Sequence, residues 1–193
     1  VQIYKESAGW VNVSNIGDGI EPLGMTATGG VVSDYSHPDG NVYRAHIFTA
    51  SGTFDVTALS SSLPNSIEYL AVAGGGGGSG DASGGGGAGG YRTGTTPVGG
   101  SLGLTVTVGA GGRGLTAPQN YSAMKGGDSS INFPAGTITS TGGGAGKGGS
   151  GGDLSPVNSG GSGGGGGTGG QSGTKTDRGG AGGSGLVLIA YPT

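Results

Sequence analysis

The sequence predicts an all-β, partly irregular fold without α-helix, in which short β-strands frame a bundle of packed polyglycine-II helices. Three observations carry that expectation. Glycine supplies 54 of the 193 residues, several times its ordinary share of about 7 %. The glycines are gathered into runs at 74–90, 142–152 and 160–185, and strand patterns abut them: residues 67–73 lead straight into Gly74, and Gly185 leads straight into Leu186. A flexible Gly/Ser linker has no need of buried strands pinned to both its ends. Thirdly, the other residues inside the runs keep a phase of three. Ser79, Ala82 and Ala88 share one edge, as do Lys147 and Ser150, Ser162 and Thr168, and Ala181 and Ser184. Asp81, Ser83 and Ala145 fall out of phase.

That phase has a physical reading. A polyproline-II-type rod repeats every three residues and makes no internal hydrogen bonds. A Gly-Gly-X pattern therefore leaves two bare edges and one substituted edge. Fixing each backbone costs about 1–2 kcal/mol, with glycine at the high end, and a hydrogen bond returns about 1 kcal/mol net. Such rods hold together only when nearly every amide and carbonyl is paired with a neighbouring rod. Gly74 to Gly90, if straight, would reach about 53 Å. Gly166, on a bare edge, is expected to tolerate valine far less than Thr168 does.

The strands read in order as follows. Val1, Ile3, Val11 and Val13, with Trp10 nearby, give two short strands. Residues 21–40 are rich in turn formers, among them Pro22, Gly29, Gly30 and Pro38-Asp39-Gly40. Strand patterns then cover 42–48, the stretch from Phe54 to Leu59, 67–73, 102–108, 131–133, 137–139 and 186–191. The division expected is a strand-rich spacer at 1–41 and a glycine-rich domain at 42–193.

Several function classes are disfavoured. The net charge is −3 without a basic stripe, against a nucleic-acid partner. No apolar run reaches membrane-spanning length, so membrane insertion is not expected. There is no cysteine, and His37 and His46 stand alone, so no metal or other cofactor is expected. Gly109-Ala110-Gly111-Gly112-Arg113-Gly114 matches a dinucleotide fingerprint in form, but Pro118 follows where a helix should start. Asp34 and Asp39 are the nearest thing to a carboxylate pair for glycan cleavage, in a stretch that reads as turns. The expectation is a protein that is not an enzyme.

Polar and aromatic residues collect in the connectors between glycine runs, where loops on a rigid scaffold carry recognition. The candidate binding residues are Tyr91 and Arg92; Gln119, Asn120, Tyr121, Met124 and Lys125; and Lys175, Asp177 and Arg178.

The stretch His46-Ile47-Phe48-Thr49-Ala50-Ser51-Gly52-Thr53-Phe54, the strand at 67–73 with its glycines to Gly78, Gly86 to Arg92, Val106 to Gly112 and the ending Gly183 to Ile189 resemble the glycine-rich domain of phage tail-fibre and tail-tip adhesin proteins. The likeness covers roughly residues 42–193. It implies a structural virion protein, located in the tail fibre and outside the cell. Its loops would bind a host cell-surface protein or glycan, with other fibre or virion proteins as further partners and a homotrimer as one assembly. A bacterial secreted or cell-surface adhesion module of the same architecture is the alternative.

Overall fold

A computed structural model describes residues 2–5, 9–12, 24–79, 84–114, 123–146 and 179–193. Strands β1 (Gln2–Lys5) and β2 (Gly9–Asn12) form a small antiparallel hairpin where the sequence predicts short strands. The remaining ten strands make two antiparallel five-stranded sheets. The first runs β11 (Gly136–Ser140), β10 (Ser129–Phe133), β9 (Leu102–Thr107), β6 (Gly52–Ala58) and β3 (Thr26–Thr28). The second runs β4 (Val31–Ser36), β5 (Val42–Phe48), β12 (Leu186–Pro192), β7 (Ser66–Val72) and β8 (Tyr91–Pro97). No α-helix occurs among the described residues.

Alternation along the strands builds the core between the sheets. Phe54, Leu104, Val106 and Ile131 from the first sheet meet Ile67, Val187, Ile189 and Tyr191 from the second, all fully buried. His46 sits inside this apolar layer, its ring 5.0 Å from Phe54 and 5.6 Å from Tyr191. Its Nδ1 lies 2.6 Å from the Gly29 carbonyl and its Nε2 3.1 Å from the Tyr191 hydroxyl. A buried polar ring is tolerated because both nitrogens are satisfied.

Two expectations need correction. Residues 26–28 and 31–36, read as part of a turn-rich stretch, are strands β3 and β4, paired with β6 and β5. Gly29 and Gly30, at φ +108° and +62°, make the corner that sends β3 to one sheet and β4 to the other. Residues 91–97, whose start was read as a connector, are strand β8, paired along its whole length with β7.

Among the described residues, six extended segments, mostly glycine and here called rods, continue the strands. Rod 1 is residues 73–79, rod 2 is 84–90, rod 3 is 109–114, rod 4 is 123–127, rod 5 is 141–146 and rod 6 is 179–185. The stretch from Gly74 to Gly90 thus contains two rods side by side, not one straight rod of seventeen residues. Ser79 and Ala88, placed by the sequence on one edge, belong to different rods. The phase pairs Lys147 with Ser150 and Ser162 with Thr168, and the comparison at Gly166, lie outside the described residues.

Candidate functional site

Rod 1 is the axis of the bundle, and its hydrogen bonds rotate with a period of three. The amides of Ala73, Gly76 and Ser79 donate to Gly90, Gly87 and Gly84 of rod 2. Those of Gly74 and Gly77 donate to Gly127 and Met124 of rod 4, and those of Gly75 and Gly78 to Gly183 and Gly180 of rod 6. Rod 1 in turn accepts from the other two: Gly143 and Gly146 of rod 5 donate to Gly74 and Gly77, and Gly112 of rod 3 donates to Gly75.

The surrounding rods are bonded to one another in a fixed order. Gly87 donates to Gly144 (rods 2 and 5), Gly126 to Gly143 (4 and 5), Gly127 to Ala110 (4 and 3), and Gly182 to Gly112 (6 and 3), at 2.8–2.9 Å. Around rod 1 the sequence is therefore 2, 5, 4, 3, 6. Five of the six directions of a hexagonal array are occupied by described rods. The sixth lies between rods 6 and 2. There a Cβ on Gly75 would meet nothing nearer than 3.5 Å, and one on Gly78 nothing nearer than 3.6 Å.

Elsewhere the packing is backbone on backbone. A Cβ on Gly76 would fall on the Gly144 carbonyl, and one on Gly74 on the Ala110 carbonyl. Rod 3 shows why its sequence is Gly-Ala-Gly-Gly-Arg-Gly. Gly109 and Gly112 press on rod 4, Gly111 and Gly114 press on rod 6, and only Ala110 and Arg113 face outward and are exposed. Two edges are bare and one is substituted, as the phase argument requires. Ala88, Ala181 and Ser184 are likewise exposed. Ala145 does not follow the rule, being only 1 % exposed.

Chain direction gives the bundle two unlike ends. Residues 73, 90, 109, 127, 141 and 185 stand at the end nearest the sheets. Ser129 and Ser140, both buried, stitch this junction: the Gly109 amide donates to Ser129 Oγ at 2.9 Å, and Ser140 Oγ donates to the Ala71 carbonyl at 2.6 Å. Residues 79, 84, 114, 123, 146 and 179 stand at the far end. The chain between rods 1 and 2, 3 and 4, and 5 and 6 leaves from that end and returns to it.

The candidate binding residues divide accordingly. Met124 and Lys125 are in rod 4, just inside the far end. Met124 is 58 % exposed, with its amide donating to the Arg113 carbonyl at 3.0 Å. Lys125 Nζ lies 3.6 Å from Asp128 Oδ1. Tyr91, 72 % exposed, and Arg92 start β8 at the sheet end, so they are not grouped with Met124 and Lys125. Gln119, Asn120, Tyr121, Lys175, Asp177 and Arg178 lie outside the described residues.

The sequence reading missed a second cluster, on the outer face of the second sheet. Glu68 and Tyr35 border a shallow hollow of about 360 Å³ floored by Leu188 and Ala190. Beside it the His37 ring stacks on Tyr43 at 4.2 Å, and Tyr43 donates to Asp39 Oδ2 at 3.1 Å. Burial first, then this bond, pushes the Tyr43 hydroxyl up to about 12. The Asn41 amide above all holds Asp39 down at about 2. Asp34 is also lowered, chiefly by hydrogen bonding to Arg44, whose Nε reaches it at 2.8 Å. Both aspartates are thus ionised acceptors at neutral pH rather than proton donors. The β-branched and aromatic residues Val31, Val32 and Tyr35 were the available signal, set between the turn formers Gly29-Gly30 and His37-Pro38-Asp39-Gly40.

No curated protein and no solved structure matches the chain. The model of the glycine-rich domain family matches residues 49–163, from the turn after β5 through the first five rods. That is more than half of the sequence, and the chain belongs to the glycine-rich domain family.

Proposed function

We propose that this is a non-catalytic domain of a phage tail fibre or tail tip, with polyglycine-II rods as a stiff stalk whose far end recognises a host cell-surface protein or glycan. The three-residue rotation of hydrogen-bond partners around rod 1 supports the polyglycine-II assignment. The observation that carries the recognition role is the polarity of the bundle. One end is covalently continuous with strands and anchored through Ser129 and Ser140, while the other is where three connections depart and return. Connections borne on a rigid scaffold are where surface recognition is usually built. Met124, Lys125 and Arg113 are the described side chains nearest that end that remain exposed.

The test is incubation of the labelled domain with candidate host cells. Saturable binding that is competed by unlabelled domain and lost when Gln119, Asn120 and Tyr121 are replaced together by alanine supports the proposal. Release of reducing sugar would replace it with a glycan-cleaving enzyme, and absence of binding to every host tested would leave a spacer.

A further inference from the structure

Strand β4 is one edge of the second sheet, and among the strands with described side chains it alone is exposed at every position. Val31 is 67 % exposed and Val32 51 %. Such an edge offers a row of unpaired amides and carbonyls to another strand, and natural sheets usually blunt it with prolines, bulges or net charge. The other edges are blunted. β8 contains Gly94 and ends at Pro97, β3 has three residues, and β11 opens at Gly136, with φ +135°. β4 has neither proline nor glycine, and its single charge, Asp34, is already neutralised by Arg44.

We propose that β4 is a self-association edge, at which two copies of this chain pair antiparallel about a two-fold axis and join their second sheets into one of ten strands. A second copy is the occupant because one face-matched register pairs five of the six residues of β4 with their own copies without opposing two charges, whereas centring on Val32 pairs only residues 31–33. The partners of Val31, Ser33 and Tyr35 on β5 are Ile47, Ala45 and Tyr43. Tyr43 and Ala45 belong to the outer cluster, which puts Val31, Ser33 and Tyr35 on the outer face. A continuous sheet must keep outer residues opposite outer residues. Centring on Asp34 would set two carboxylates against each other, which is unfavourable. Centring on Ser33 instead sets Ser33 against its own copy and Val31 against Tyr35 of the partner subunit, a β-branched–aromatic pair of the favoured kind, and Val32 against Asp34, whose carboxylate is already held by Arg44. Closed two-fold pairing uses one edge per copy and leaves both glycine bundles free.

The chain has no cysteine, so one introduced thiol reports the register without background. Opposed residues of an antiparallel pair lie about 4.5–5.5 Å apart at Cα, within disulfide reach. Under mild oxidation, S33C in the 193-residue chain is expected to form a covalent dimer at least about tenfold faster than S36C, whose opposite position lies beyond β4 in this register. The unmodified chain should sediment as a dimer that dissociates on dilution. S33K, which sets two cations face to face, should sediment as a monomer, and should match the melting temperature of the parent only at dilutions where the parent is itself monomeric. Equal cross-linking of the two cysteine variants, a monomer or trimer in sedimentation of the unmodified chain, or a dimer that survives S33K would each overturn the proposal.

Discussion

The sandwich and the glycine bundle meet along one seam, yet they are held by opposite means. Between the sheets, space is filled by side chains: Phe54, Ile67, Leu104 and Tyr191 are fully buried and touch across the gap. In the bundle there is almost nothing to fill space with. Rod 1 is stabilised because its amides reach three neighbours in rotation and its carbonyls receive two more. The first region uses apolar burial, which is non-directional and tolerates some repacking. The second uses hydrogen bonds whose geometry depends on backbones lying closer than any Cβ would allow. It follows that the sandwich should be broken by removing atoms and the bundle by adding them.

The largest effect is expected at Gly76. A Cβ there falls on the Gly144 carbonyl, with backbone as its nearest neighbours and no side chain able to move away. Ordinary overpacking costs about 1–3 kcal/mol. Gly76→Val should exceed about 4 kcal/mol, leaving no cooperative transition in thermal melting. A variant that melts within a few degrees of the parent would refute the backbone-contact account. The sandwich counterpart is Phe54→Ala, expected to cost about 3–5 kcal/mol through lost burial and a residual cavity, measured by denaturant midpoint. The contrast sharpens if Phe54→Gly costs only about 0.5–1 kcal/mol more than Phe54→Ala, while Gly76→Ala alone is already severe.

The two regions were not equally legible in the sequence. Strands β5, β7, β9 and β12 announce themselves by alternation or by continuous apolar runs, because burial of side chains is written in side chains. The bundle announces itself only by what it lacks. Rods 1, 2, 5 and 6 lie in visible glycine runs, but rod 4 does not. Its Ala123, Met124 and Lys125 look like a connector, and their place in the lattice rests on the Met124 amide and carbonyl, which any residue except proline possesses. Ser129 and Ser140 were invisible for a related reason: serine is common everywhere in this chain, and only three-dimensional position makes two of them the seam. The gathering of Tyr35, His37, Tyr43 and Glu68 on one face depends on strand register, which a local pattern does not specify.

A smaller effect tests whether the sandwich carries a cost that the bundle does not. His46 is buried in the apolar layer, and that burial chiefly lowers its pKa from the ordinary 6.5. The folded state therefore prefers the neutral ring. Below about pH 6.5 the unfolded chain takes up a proton that the folded chain resists, so stability falls as the pH drops toward the lowered folded value. Melting temperature should decline between about pH 6.5 and 5, before most carboxylates titrate, and His46→Gln should flatten that decline even if it lowers stability throughout. An unchanged slope in the variant would assign the pH dependence to another group. Asp39 acts in a separate window: its stabilisation is present above 3.8 and is lost as the pH falls through about 2.

The smallest effect is the most discriminating, because it sets two adjacent glycines of rod 2 against each other. A Cβ on Gly86 would fall on the Gly76 carbonyl, while one on Gly85 would meet nothing within 4 Å. Neither glycine is among those with positive φ. At Gly85, alanine fits the folded backbone and narrows the unfolded ensemble, so Gly85→Ala should stabilise by about 0.4–1 kcal/mol. At Gly86 the same methyl group should destabilise strongly. A gain and a loss at neighbouring positions cannot come from helix or strand propensity, since both residues share one local conformation. It can come only from an edge that is bare because a neighbour lies against it, preceded by an edge that is bare with nothing there. Two equal losses in calorimetry would mean that rod 2 is packed on all sides, and the open direction between rods 6 and 2 would have to be abandoned.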